Sequence, residues 1–158
     1  MQSTPCIVDA LNVAYWSGSP PDLRLPLALM AQLIASGRSV VLYFDASTPY
    51  QLREADRQTY ESMRAHRDVS EVPSGKPADR LMLRHARSIG ACVVSRDKFR
   101  DQRRRFRKLV DDPARLLGGA VSENVVHVPG LGISAQLASS SQEAWQQVVA
   151  ASARIRGS

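Results

Sequence analysis

SVVLYFD (residues 39–45) decides the fold: an unbroken apolar run of strand length that ends in an aspartate. Such a run suits a parallel strand covered on both faces better than an antiparallel strand with one face in water, which would alternate. Two more runs share the pattern. CIVD (6–9) ends in Asp9, and ACVVS (91–95) is followed at once by Arg96 and Asp97. VVHV (125–128) reads as a last strand, and residues 69–72 of DVSEVP as a short one. Helical patterns fill the intervals. Asp22 can cap a helix through Leu23, Leu25, Leu27, Met30, Leu33 and Ile34 that Gly37 ends. Residues 50–66 are polar and helix-permissive. Pro77 precedes a helix with Ala78, Leu81, Met82, His85, Ala86 and Ile89 on one stripe, stopped by Gly90. A basic helix is expected from Arg96 to about Val110. This alternation predicts βαβ units with right-handed crossovers, hence an α/β fold with a mainly parallel sheet.

The 158 residues fit one domain, 1–158. Its core spans about 5–128, followed by a connector (129–141) and a closing helix (142–155) with Trp145, Val148, Val149 and Ser152 on one face; this helix is expected to dock on the sheet rather than offer Trp145 to a partner. An apolar fraction of 44% and a charged fraction of 23% describe an ordinary globular chain. No apolar run approaches the roughly 18 to 20 residues that span a bilayer, and the opening MQSTPCIVD carries no signal-peptide pattern, so a cytoplasmic location is expected. Cys6 and Cys92 lie in strand runs and read as buried free thiols. Scattered His66, His85 and His127 and the lack of a C-x-x-C pair argue against zinc. His85 falls on the apolar stripe and reads as a core residue.

Net charge is +6, and its distribution says more than its size. Eight basic residues (Arg96, Lys98, Arg100, Arg103, Arg104, Arg105, Arg107, Lys108) stand with only Asp97 and Asp101 between positions 96 and 108, so this segment holds the whole excess. The bland reading is a solvated helix face. The functional reading is a grip on a polyanion, which the planar arginine fork suits.

In a parallel sheet each strand delivers its last residue, and each following helix its first turn, to one carboxyl edge, where such folds bind ligands. Asp9 and Asp45 end strands, Asp79 lies in the first turn after Pro77, Asp97 follows a strand, and Asp101 comes one helical turn later. Any one of them can be a helix cap or turn residue, Asp45 most easily. Together they predict carboxylates whose repulsion a hard cation would relieve, Mg²⁺ or Mn²⁺ given oxygen-only ligands, as one ion or two. Such an ion beside a basic segment points to chemistry on a nucleic acid phosphate.

VDALNVAYW (8–16) and PSGKPADRLMLRHARSIGACVVSRDKFRD (73–101) resemble the NYN branch of PIN-like nucleases, in particular the Regnase type of CCCH zinc-finger ribonuclease and its stand-alone bacterial relatives. The family pattern is a D-G-x-N-V-A start, a D-D or A-D helix start, and S-N-D-x-Y/F-R-D. The resemblance implies a three-layer α/β/α sandwich and a Mg²⁺- or Mn²⁺-dependent endoribonuclease acting on single-stranded or loop RNA. It places Asp9, Asp79, Asp97 and Asp101 in the catalytic metal site, with Asn12 orienting the Asp9 loop or a phosphate, Arg100 facing substrate and Asp45 in support. Ala10, Arg96 and Ala78 depart from the usual Gly, Asn and first acid; Ala78 removes one further carboxylate. No zinc finger follows within the sequence, so substrate choice falls to the basic segment or a partner. An RNA-binding module without catalysis, a toxin-type PIN nuclease and a DNA or flap nuclease are the alternatives, and a homodimer or protein partner is left open. No G-x-G-x-x-G or Walker loop supports a nucleotide-binding domain.

Overall fold

Residues 3–156 are described by a computed structural model. Five parallel strands form the central sheet: β1 (Cys6–Asp9), β2 (Val40–Phe44), β3 (Val69–Glu71), β4 (Cys92–Val94) and β5 (Leu116–Leu117), in the order β3-β2-β1-β4-β5. The chain winds outward from β1 to β3, then returns to the far side of β1 for β4. The switch point between β1 and β4 is where a sheet of this kind opens a crevice at its carboxyl edge. Cys6 pairs with Val40 on one side and Cys92 on the other, which brings Asp9 of β1 and the residues after Val94 of β4 to the same edge.

Alternation along the strands builds two cores. Cys6, Val8, Leu42, Phe44 and Val94 face one way, toward α1 (Ala10–Ala14), α2 (Arg24–Ala35), α4 (Glu54–Met63) and α7 (Ser141–Arg156). Ile7 and Val93 face the other way, toward Met82, Leu83 and Ala86 of α5 (Ala78–Ile89) and Phe106 and Leu109 of α6 (Arg103–Val110). The result is the expected three-layer sandwich. Only two helices cover the second face, so Val41 and Tyr43 are half-buried there. Tyr43 shares a 2.7 Å hydrogen bond with Nδ1 of His85, which is half-buried at the margin of this face rather than in the core expected for it. The remaining short helix, α3 (Thr48–Gln51), follows β2. Cys6 and Cys92 are free and buried, their sulfurs 3.0 Å apart on neighbouring strands.

Five details differ from the sequence expectations. The run 125–128 is a strand, β7 (Val125–Val128), but it is neither last nor in the central sheet: it pairs antiparallel with β6 (Ala120–Ser122) and β8 (Ile133–Gln136). The stretch expected to be a connector therefore contains a strand, whose Ile133 and Ala135 pack inward while Ser134 and Gln136 face water. The stripe of α5 is rotated, burying Met82, Leu83 and Ala86 and leaving Ile89 43% exposed. Likewise α7 packs mainly on α2 and α4 rather than on the sheet as expected, through Ala144, Val148 and Ala151, with Val149 48% exposed, because close packing on α2 favours small residues at the seam. The basic helix starts at Arg103 rather than Arg96. Phe99 adopts φ 50° and its ring is buried, and a single 3-10 turn (Arg100–Gln102) intervenes. No helix among the described residues is long and apolar enough to cross a membrane.

Candidate active site

The carboxyl edge at the switch point collects the predicted acids. Asp9 closes β1, Asp45 follows β2 and Asp79 lies in the first turn of α5. Asp97 sits in the loop after β4 and Asp101 in the 3-10 turn beyond it. Two adjoining cavities share Asp79 as a common wall. The smaller, about 40 Å³, is lined by Asp9, Asp45, Ala78 and Asp79 among others. The larger, about 470 Å³ and open, is lined by Asp79 and by residues 96–102, which include Asp97, Lys98, Arg100 and Asp101. All five acids thus line one continuous edge. A third cavity, about 790 Å³ between α4 and the start of α7, shares no residue with either.

Hydrogen bonds set the geometry. Ser95 Oγ donates to Oδ2 of Asp9 at 2.8 Å and accepts the amide N–H of Asp97 at 3.0 Å, so one hydroxyl bridges β1 and the loop after β4. Asp97 Oδ1 accepts the N–H of Phe99 at 2.7 Å, a side-chain turn that interrupts the expected helix. Asp97 and Asp101 are therefore not stacked one helical turn apart, as the sequence suggested. Asp45 Oδ1 accepts from Ser47, at 2.9 Å from the amide and 2.5 Å from the hydroxyl. Asn12 Oδ1 accepts the amide N–H of Arg96 at 2.9 Å and the indole N–H of Trp16 at 3.0 Å.

Charge is left uncompensated. The Asp9 carboxyl is pushed up to about 7, first by burial and then by the negative charges of Asp79, Asp97 and Asp45, against the lowering effect of the Ser95 hydrogen bond. Asp79 keeps an exposed surface, yet its carboxyl is also raised, by desolvation first and then by Asp97, Asp45 and Asp101. None of the ion pairs among the described residues includes any of the five acids, although the basic segment begins beside them. An unpaired, oxygen-only set of this kind fits a hard divalent cation. Among the described residues, no three acidic, histidine or cysteine side chains lie close enough to hold one ion directly.

The comparisons decide the family. A family described as Zc3h12a-like Ribonuclease NYN domain matches residues 2–129. The chain belongs to that family. Membership in this NYN family implies an RNA-cleaving hydrolase. Two solved structures share its fold: the crystal structure of nuclear proteinaceous RNase P 2 from A. thaliana, at TM-score 0.65 and 14% identity, and Arabidopsis thaliana nuclear protein-only RNase P 2, at TM-score 0.60 and 15% identity. Each match covers 80% of this chain and 29% of the neighbour, so the NYN domain spans under a third of those proteins' length. No curated protein matches the chain.

Within the NYN domain the basic segment divides into two parts. Arg96 is engaged internally: its guanidinium lies 4.9 Å from the centre of the Trp16 ring, its Nε donates to the Gly119 carbonyl at 2.9 Å, and Nη1 reaches the Trp16 carbonyl at 3.4 Å. Arg103 is held by Asp111 at 2.9 Å, and Arg107 approaches the same carboxylate at 3.8 Å. Lys98, Arg100, Arg104, Arg105 and Lys108 are exposed without an ion pair among the described residues. Sequence reasoning missed Ser95, which the strand-end rule would have found if applied to hydroxyls as well as acids. It also missed the clasp of Trp16, Arg96 and Gly119. A Cβ at Gly119 would stand 2.2 Å from the His127 carbonyl and 2.6 Å from the indole, so only glycine lets that ring lie flat against the backbone.

Proposed function

We propose that the domain is a Mg²⁺- or Mn²⁺-dependent endoribonuclease whose cation is held by Asp9, Asp79, Asp97 and Asp101, with Asp45 in support. The observation that carries this reading is the set of five carboxylates on one edge, two of them within the basic segment 96–108, with which none of that segment's eight cations forms an ion pair among the described residues. When bound, one or two divalent ions supply an acidified water and relieve charge on the phosphoryl and leaving oxygens.

The chain's own residues do the rest. Ser95 fixes the rotamer of Asp9 and the amide of Asp97 together, so the central carboxylates keep their relative position. Asn12 holds the backbone at Arg96 and thereby the start of the loop that carries Asp97 and Asp101. Lys98 and Arg100, which line the larger cavity, meet the phosphates on either side of the scissile bond. Openness of that groove to solvent suits an internal stretch of single-stranded or loop RNA, with no end required.

A cleavage assay on labelled structured and unstructured RNA with Mg²⁺, Mn²⁺ or EDTA tests this reading. The expected result is cleavage with either metal, none in EDTA, and none by Asp97→Asn under any condition. An Asp97→Asn variant as active as its parent overturns the assignment. RNA bound in EDTA yet never cut with any metal identifies a binding module instead.

A further inference from the structure

Outside the segment 96–108 the chain is formally neutral, but α5 gathers a second basic stripe. Arg80, Arg84 and Arg87 follow one another at i, i+4 and i+7, on one flank of the helix and off the face that buries Met82, Leu83 and Ala86. That flank borders α6. The Arg87 guanidinium lies 4.7 Å from the centre of the Phe106 ring and donates to the Arg105 carbonyl at 3.2 Å, so the two helices share one seam. Arg84 is exposed, and no carboxylate pairs with Arg80, Arg84 or Arg87 among the described residues. Of the two acids at the neighbouring helix end, Asp111 is already taken by Arg103 and Arg107, and Asp112 accepts the N–H of Ala114.

A second observation comes from Arg80, the residue after Asp79. Its Nε is buried and has no hydrogen-bond partner. A buried guanidinium N–H without an acceptor is costly, but the residue as a whole is only half-buried, and an arginine fork that reaches the surface there suits a phosphate. The stripe therefore begins at the acidic edge and runs down α5 for about 10 Å, at 1.5 Å of rise per residue.

We propose that Arg80, Arg84 and Arg87, with the exposed cations of α6, form a track for the sugar–phosphate backbone of single-stranded RNA leading away from the acidic groove. This rests on the nuclease reading for its choice of polyanion and adds to it the surface that carries the flanking strand. Arg84 is a phosphate contact and Arg80 the step between track and groove. Phosphate contacts add affinity without sequence preference, and each one lost lowers the salt slope of single-strand binding by about 0.7.

Binding of a long oligouridine, measured in EDTA over a series of salt concentrations, tests the track without involving cleavage. Arg84→Gln is expected to weaken binding and lower the slope by about 0.7, while Arg84→Lys keeps the slope and Arg154→Gln, an exposed cation on α7, behaves as the parent. Arg80→Gln should give the same loss independently. Slopes equal to the parent's in Arg84→Gln and Arg80→Gln overturn the track, and leave the nuclease reading standing if the parent cuts RNA with metal. A parent that binds with the expected slopes but never cuts overturns the nuclease reading and supports the track. The same arginine dependence on anionic lipid vesicles, with none on RNA, overturns the proposal as well.

Discussion

Two groups of aspartates in this chain meet opposite fates. Asp22 and Asp56, both nearly buried, are paired with arginines: Asp22 takes Arg24 at 2.8 Å, and Arg53 lies 3.2 Å from Asp56 and 3.7 Å from Asp22. Burial works against the Asp22 charge, but the Arg24 hydrogen bonds and charge, with Arg53 adding, hold its carboxyl below the usual range. At the carboxyl edge the same residue type is left unpaired, and Asp9 moves up instead. For the two buried aspartates, Asp22 and Asp56, the chain supplies the cation. Where it does not, the missing cation marks a place for one from solution.

The largest expected effect breaks the comparison on its functional side. Asp97→Asn should lower metal-dependent RNA cleavage by more than about a hundredfold, the loss that even an outer partner of a metal ligand can cause. Initial rates on one RNA at saturating Mg²⁺ measure it. Next come two stability changes of opposite sign, read from unfolding in EDTA. Asp22→Asn should destabilise by about 1–3 kcal/mol, because it strands the guanidinium of Arg24. Asp9→Asn should stabilise by about 1–3 kcal/mol above neutral pH. Its carboxyl sits near 7 in the folded state against an ordinary 3.8, so folding disfavours the ionised form. That penalty is absent below the ordinary value, grows as pH rises between the two, and is complete above 7; the advantage of Asp9→Asn must vanish on acidification. A variant advantage that persists at acid pH contradicts the electrostatic cause.

A smaller effect sharpens the picture of how the edge is held. Arg96→Lys keeps the charge but loses the planar stack on Trp16 and the bond to Gly119, so kcat should fall about tenfold with KM for RNA little changed. A raised KM at constant kcat would make Arg96 a substrate contact instead.

Much of this was legible beforehand, for physical reasons. Strands β1, β2 and β4 are short continuous apolar runs ended by polar residues, and a parallel sheet buried on both faces forces that pattern. The edge rule then placed Asp9, Asp45, Asp79 and Asp97 together without any contact information. What stayed hidden depends on tertiary choice. Strand β8 carries only Ile133 and Ala135 inward, too weak an alternation to stand out from a Gly- and Ser-rich stretch. The start of α6 was misplaced because the Asp97 turn and the buried ring of Phe99 override a helix-permissive composition. The arginine stripe of α5 was hidden by arithmetic, since acids elsewhere cancel it in any count along the chain.

Mn²⁺ binding, followed by the loss of the free-ion paramagnetic resonance signal, tests the unpaired edge most directly, because it needs neither RNA nor turnover. The parent should bind one or two ions, Asp9→Asn and Asp97→Asn should bind far more weakly, and Asp22→Asn should match the parent. Equal binding by the parent, Asp9→Asn and Asp97→Asn would contradict the account.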